Sequence, residues 1–237
     1  MVCVFYPSLL KNTMKKDCKI IIDFDSTFVE TEVMDELAAL SLRNCPNRDE
    51  IVNSVQEITR LGMDGKITFD KSLEQRIALL STDREEIEEL TRNTASRITK
   101  SILRNRDFFL ANSKNIYIIS GGFKDVIVPV VRDFGIRPEN VFANTFVFNE
   151  LGNVIGVDTE NFLAQEKGKV KQVKALNLSG SVYIIGDGFT DYQIKEAGLA
   201  DKFVAFTENI DRPKVTEVAD LVVKSFDEFL EKEKIEV

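Results

Sequence analysis

Apolar runs that stop at a small or acidic residue recur along the chain. They fall at Lys19–Phe24, Ile116–Ser120, Val182–Gly186 and Phe203–Phe206, with a weaker one at Leu221–Val223. Such near-continuous Ile/Val runs, without polar alternation, suit strands buried on both faces of a parallel sheet. Between them lie stretches with helical spacing: "GFKDVIVPVVRDFG", "EKGKVKQVKALNL", "TDYQIKEAGL" and "FDEFLEKEKIE". Pro129 falls inside the first, which predicts a kinked or late-starting helix. "VFANTFVFNELGNVIGV" reads as two strands about a Gly-Asn turn, a β-hairpin. This order predicts an α/β fold with a doubly wound parallel sheet and right-handed crossovers.

One stretch breaks the alternation. From Glu30 to Asn105 there is almost no strand signal, but there are helical periods in "RDEIVNSVQEITRL", "FDKSLEQRIALL" and "DREEIEELTRN". The expected organisation is a peripheral extension at residues 1–13, an α/β core from 14–29 and 106–237, and a helical cap from 30–105. An insertion after the first strand sits over the carboxyl ends of the strands, where open α/β sheets bind ligands. A lid is one reading and a helical layer on one sheet face is the other.

Composition narrows the chemistry. The 237 residues carry a net charge of −8, which argues against nucleic-acid or anionic-membrane partners. There are no histidines, so Ser-His-Asp and Cys-His nucleophile systems and His-ligated zinc are excluded. Cys3, Cys18 and Cys45 form no CxxC pair and read as reduced thiols. The opening "MVCVFYPSLLKNTMKK" has its charges on the wrong side for a secretory signal and is too short to span a bilayer. A soluble, cytoplasmic protein is expected.

Four clusters then fall at strand ends. Asp23 and Asp25, followed by Ser26 and Thr27, close the first run. Alone they would pass for a capping turn. Ser120, Gly121 and Gly122 close the second, where N–H groups and a hydroxyl can hold an anion. Lys167, Lys169, Lys171 and Lys174 follow the hairpin, and periodicity does not say which of them reaches the sheet edge. Asp187 and Asp191 follow the run that ends at Gly186. Together they supply carboxylates for a hard divalent cation and donors for a phosphate, and a cation would explain two crowded aspartates at the end of an apolar strand. No P-loop or Gly-x-Gly-x-x-Gly fingerprint is present.

The order DxDST, SGG, Lys, GDGxxD resembles the haloacid dehalogenase superfamily of aspartate-nucleophile phosphatases, with its Rossmann-like core. "DFDSTFVETEVMDELA" and "GMDGKITFDKSLEQRIALL" resemble the phosphoserine phosphatase family within it. The resemblance implies hydrolysis of O-phospho-L-serine, the last step of serine biosynthesis, with Mg²⁺ as cofactor. It implies Asp23 as nucleophile and Asp25 as acid and base. The metal would be held by Asp23, Asp187 and the backbone carbonyl of Asp25, with Asp191 on a metal-bound water or orienting Lys167. Ser120, Gly121 and Lys167, picked out by "KGK", would hold the phosphate. Glu32, Met63, Phe69 and Arg76 would contact the rest of the substrate. Thr190 stands where the family usually has asparagine. A related enzyme for another small phosphomonoester would share the four clusters and differ at the cap. A non-catalytic phosphate- or partner-binding module would be free to lose them. A monomer or homodimer is expected.

Overall fold

A computed structural model describes residues 17–63 and 66–234, apart from the side chains of Met63 and Phe69. The proposed extension at 1–13 lies outside the described residues. The described residues form eight strands: β1 (Cys18–Ile22), β2 (Ile116–Phe123), β3 (Val141–Asn144), β4 (Phe146–Phe148), β5 (Val154–Val157), β6 (Ser181–Gly186), β7 (Lys202–Phe206) and β8 (Leu221–Val223). Six of them pair in parallel in the order β3-β2-β1-β6-β7-β8. The chain thus runs outward from β1 to β3 and returns to the other side of β1 at β6. The crevice at that reversal is where such sheets bind ligands.

β1 is central because it is apolar on both faces. Ile20 and Ile22 join the larger core cluster, while Ile21 joins the smaller one on the opposite face. The larger core is rich in phenylalanine. Phe28 makes edge contacts with Phe109 and Phe134, and Phe109 lies against Phe226. Each such aromatic pair adds about 0.5–1.5 kcal/mol beyond area burial. Phe24 and Phe28 belong to this cluster, so the turn after β1 is anchored from below.

Helices α1 (Val33–Ser41), α2 (Arg48–Met63), α3 (Phe69–Ala78) and α4 (Arg84–Ala95) form the insertion after β1, followed by short α5 (Lys100–Arg104) and α6 (Arg106–Asn112). Its two chain crossings lie side by side, joined by a bridge between Val29 and Ile98 and by Glu30 N–H to the Arg97 carbonyl at 2.9 Å. α4 packs on α7 (Lys124–Val131). Pro129 sits late in α7, which passes into a 3₁₀ turn at Arg132–Phe134 and ends at left-handed Gly135 (φ +74°).

The hairpin is shorter than the sequence pattern implies. β4 and β5 pair antiparallel, whereas Val141–Asn144 joins the main sheet beside β2. An apolar tetrapeptide pairs equally well with either neighbour, and the open edge of β2 decides it. The hairpin leans on the insertion through Val154 N–H to the Thr82 carbonyl (2.9 Å) and Arg84 over the Phe148 ring. Helices α8 (Gly168–Leu176), α9 (Phe189–Glu196), α10 (Pro213–Thr216) and α11 (Phe226–Lys232) complete the layers. Among the described residues, no helix is long and apolar enough to cross a membrane.

Candidate active site at the sheet's carboxyl edge

Register places the acidic residues together. Ile22 pairs with Ile185, and the Asp23 N–H donates to the Ile185 carbonyl (2.9 Å). Asp23 therefore ends β1 level with the end of β6, where Asp187 follows. The next residues turn sharply: the Val29 N–H reaches the Phe24 carbonyl (3.0 Å), with Ser26 left-handed at φ +52°. Asp191 enters from α9, accepting from the Gly188 N–H (3.2 Å). Gly186 is required here, since a Cβ on it would lie 2.3 Å from Asp191 Oδ2.

Carboxylate oxygens of Asp23, Asp187 and Asp191 all lie within 4.8 Å of one another, and the three are buried. Lys169 Nζ bridges Asp23 Oδ2 and Asp191 Oδ1, both at 2.8 Å. Burial opposes the lysine charge, but Asp191 and Asp23 outweigh it and hold its pKa above the ordinary value. Asp187 accepts from the Thr27 hydroxyl (3.1 Å) and from Arg212 Nε (2.9 Å). Even so, burial and then the Asp23 charge push Asp187 up, against the pull of Arg212. Burial and Asp23 likewise push Asp191 well up, against Lys169. The carboxylates outnumber their cations, and their donors are hard oxygens. The set fits a hard divalent metal ion.

Asp25 takes another role. Its Oδ1 accepts from the Val33 N–H (3.0 Å), so it faces the insertion, and its side chain is absent from the three-carboxylate cluster. Burial first, then Glu32 and Asp23, raise its carboxyl well above the usual range. Ser120 is fully buried, and its hydroxyl accepts from the Gly122 N–H (2.9 Å). A Cβ on Gly122 would lie 3.3 Å from Asp25 Oδ2, so glycine leaves the space between these groups open. The Asn144 amide fixes the Gly121 carbonyl (2.8 Å).

The structure separates the two lysines. Lys167, singled out by the motif, is exposed and left-handed (φ +54°) just ahead of α8, whereas Lys169 is 8% exposed and holds the aspartates. Residues two apart in a helix point to nearly opposite sides. Gly168 sets the docking, because a Cβ there would meet the Phe162 carbonyl at 2.2 Å. Lys167 and Thr190 do line a small cleft with Gly121, Gln165 and Lys169, and Thr190 is exposed.

On the insertion side, Glu32 accepts from the Ser26 hydroxyl (2.7 Å) and pairs with Arg212 Nη2 (3.4 Å). Burial, then Asp187, raise it to about 7, against the Ser26 hydrogen bond and Arg212. Arg76 is 8% exposed, donates to the Ser72 carbonyl (3.2 Å) and interacts electrostatically with Asp35, Glu32 and Asp25. Met63 and Phe69 end α2 and begin α3, and their side chains lie outside the described residues. Arg212 was not foreseen. It belongs to no motif, and the one signal for it is position, in a loop leaving the same edge of the sheet as the four clusters.

The haloacid dehalogenase-like hydrolase family model matches residues 20–195. Human phosphoserine phosphatase is 31% identical over 214 residues, covering 89% of this chain and 91% of that protein. The structure is similar to a phosphoserine phosphohydrolase-like protein from Francisella tularensis, at 32% identity and TM-score 0.79 over 90% of this chain and 98% of that one. It is also similar to a phospho-aspartyl intermediate analogue of phosphoserine phosphatase, at 25% identity and TM-score 0.72 over 92% of this chain and 99% of that one.

Proposed function

The chain belongs to the haloacid dehalogenase-like hydrolase family, among its phosphoserine phosphatases, and we propose that it hydrolyses O-phospho-L-serine to L-serine and phosphate through a phosphorylated Asp23. The observation that carries this reading is the Asp23–Lys169–Asp191 bridge beside Asp187, with a carboxyl of raised pKa at Asp25. A structure similar to this chain is a phospho-aspartyl intermediate analogue of phosphoserine phosphatase, which supports a phosphorylated aspartate.

An Asp23 oxygen attacks phosphorus in line and the P–O bond to the serine oxygen breaks. Asp25 is a suitable acid, because burial raises its carboxyl well above the usual range, and it passes its proton to the departing oxygen. Water then attacks phosphorus, Asp25 takes the water's proton, and the Asp23–phosphorus bond breaks. Ser120, the Gly121 N–H and Lys169 hold the non-bridging oxygens. Asp23 and Asp187, with Asp191 behind them, would hold Mg²⁺, which when bound draws off the negative charge of the cluster and the phosphate.

The metal has a measurable signature in stability. Glu32 rises from 4.5 to about 7 on folding, and Asp25, Asp187 and Asp191 rise as well. Groups raised on folding contribute stability fully below their unfolded pKa and lose it as pH climbs through the folded value. These groups should therefore make the metal-free protein lose stability as pH climbs from about 4.5, with Tm at least ~5 °C lower at pH 7.5 than at pH 5. Excess Mg²⁺ should restore the loss at pH 7.5 and change little at pH 5. Calorimetry showing a flat metal-free profile would contradict this account of the cluster.

For the amino-acid end, the Glu32 carboxylate suits an ammonium and the Arg76 fork a carboxylate. Arg212 pairs with Glu32 from the core side and opposes the rise that burial gives it. Arg76→Ala should raise KM for phosphoserine about 100-fold, the loss of a charged pair, while KM for an uncharged aryl phosphate moves little. Equal changes on both substrates would remove the clamp and leave a phosphatase of different specificity.

A further inference from the structure

The loop leaving β7 ties three parts of the site together. The Glu208 carboxylate accepts from the Ser101 N–H (3.1 Å) and its hydroxyl, at the start of α5. Arg212 reaches Asp187 and Glu32. Between them, the Asn209 side-chain amide donates to Thr99 Oγ1 (2.7 Å), the Ser26 carbonyl (3.1 Å) and the Val29 carbonyl (3.3 Å). One of its two N–H bonds serves Thr99 and the other is shared by the two carbonyls. Thr99, fully buried, passes its own proton to the Thr27 carbonyl (2.7 Å). A single amide, partly through Thr99, thus fixes the carbonyls of Ser26, Thr27 and Val29.

Those carbonyls belong to the turn that carries the acid. Ser26 is held left-handed, which a residue with a Cβ rarely keeps without outside support. Asp25 precedes it, and the Ser26 hydroxyl points to Glu32. Lys169 and Ser120 come from other elements, α8 and β2, and make none of these contacts. We infer that Asn209 is a positioning residue for proton transfer: its amide holds the Asp25–Ser26 turn where Asp25 can protonate the leaving oxygen. This rests on the acid role of Asp25 proposed above.

Leaving-group chemistry separates this from a merely structural role. An alkoxide needs its proton as the P–O bond breaks, whereas p-nitrophenolate leaves without one. The measurement is kcat/KM on O-phospho-L-serine, propyl phosphate and p-nitrophenyl phosphate, for wild type, Asn209→Ala and the isosteric Asn209→Asp, neither of which keeps the donors. Both alkyl esters should fall about 30-fold and the aryl ester less than about threefold, on the scale of general-acid contributions. The alkyl-to-aryl ratio does not depend on the fraction of enzyme folded, so a destabilised variant still decides the matter. An equal fall on all three esters, no fall on any, or a fall on phosphoserine alone would overturn the inference. If wild type ignores phosphoserine but cleaves the other two, the substrate assignment fails while the ratio still tests Asn209.

Discussion

Asp23→Asn should abolish phosphate release from O-phospho-L-serine, by at least ~10⁵-fold, without lowering Tm. The size follows from the reaction. Phosphate monoesters hydrolyse so slowly that enzymes supply accelerations approaching ~10²¹, and a covalent route has no substitute for its nucleophile. An amide keeps the shape of the side chain and, with its oxygen turned to the Phe24 N–H, the contact that Asp23 Oδ1 accepts at 2.7 Å. Folding should not suffer. The Asp23 charge raises Asp25, Asp187 and Asp191, so its removal relieves repulsion that offsets the lost Lys169 pair. Residual turnover above about 1% of wild type, far more than a lost nucleophile allows, would mean that another group attacks phosphorus.

Lys169→Ala should cost about 10³ in kcat, and Lys167→Ala less than about tenfold, on the usual scale for one charge-stabilising donor. Lys169 is the buried cation between the nucleophile and Asp191, so its loss leaves two carboxylates facing each other and removes an ammonium from the phosphate's side. Lys167 only lines the adjoining cleft. Tm with and without Mg²⁺ controls for folding, because the metal should recover part of the stability lost by Lys169→Ala and none of its turnover. The reverse ranking of the two variants in steady-state assays would restore the motif's choice of lysine.

The strands were legible because a segment buried on both faces must be apolar throughout. Cys18–Ile22, Ser181–Gly186 and Lys202–Phe206 each lie within a residue or two of an apolar run visible in the chain. The positions of Asp23, Asp25, Ser120 and Asp187 followed for the same reason, since a strand's end is also the sheet's edge. Val141–Asn144 was less legible. Its composition suits any strand, and only the free edge of β2 assigns it to the main sheet.

What the amino-acid order determined by itself is the alternation of strand and helix, the exclusion of histidine chemistry, and the gathering of acidic and glycine-rich strand ends at one edge. These are local consequences of burial and backbone geometry. Tertiary structure alone decided which lysine lies against the aspartates and brought in Arg212 and Asn209. Lys167 and Lys169 have the same chemistry two residues apart, and the rotation of α8 about its axis, fixed by the close approach of Gly168 to Phe162, separates them. Arg212 and Asn209 sit in a loop without periodicity, more than 175 residues beyond the turn they hold. Their partners are set by where β7 lies in the sheet, and pairing across such a distance leaves no trace in spacing.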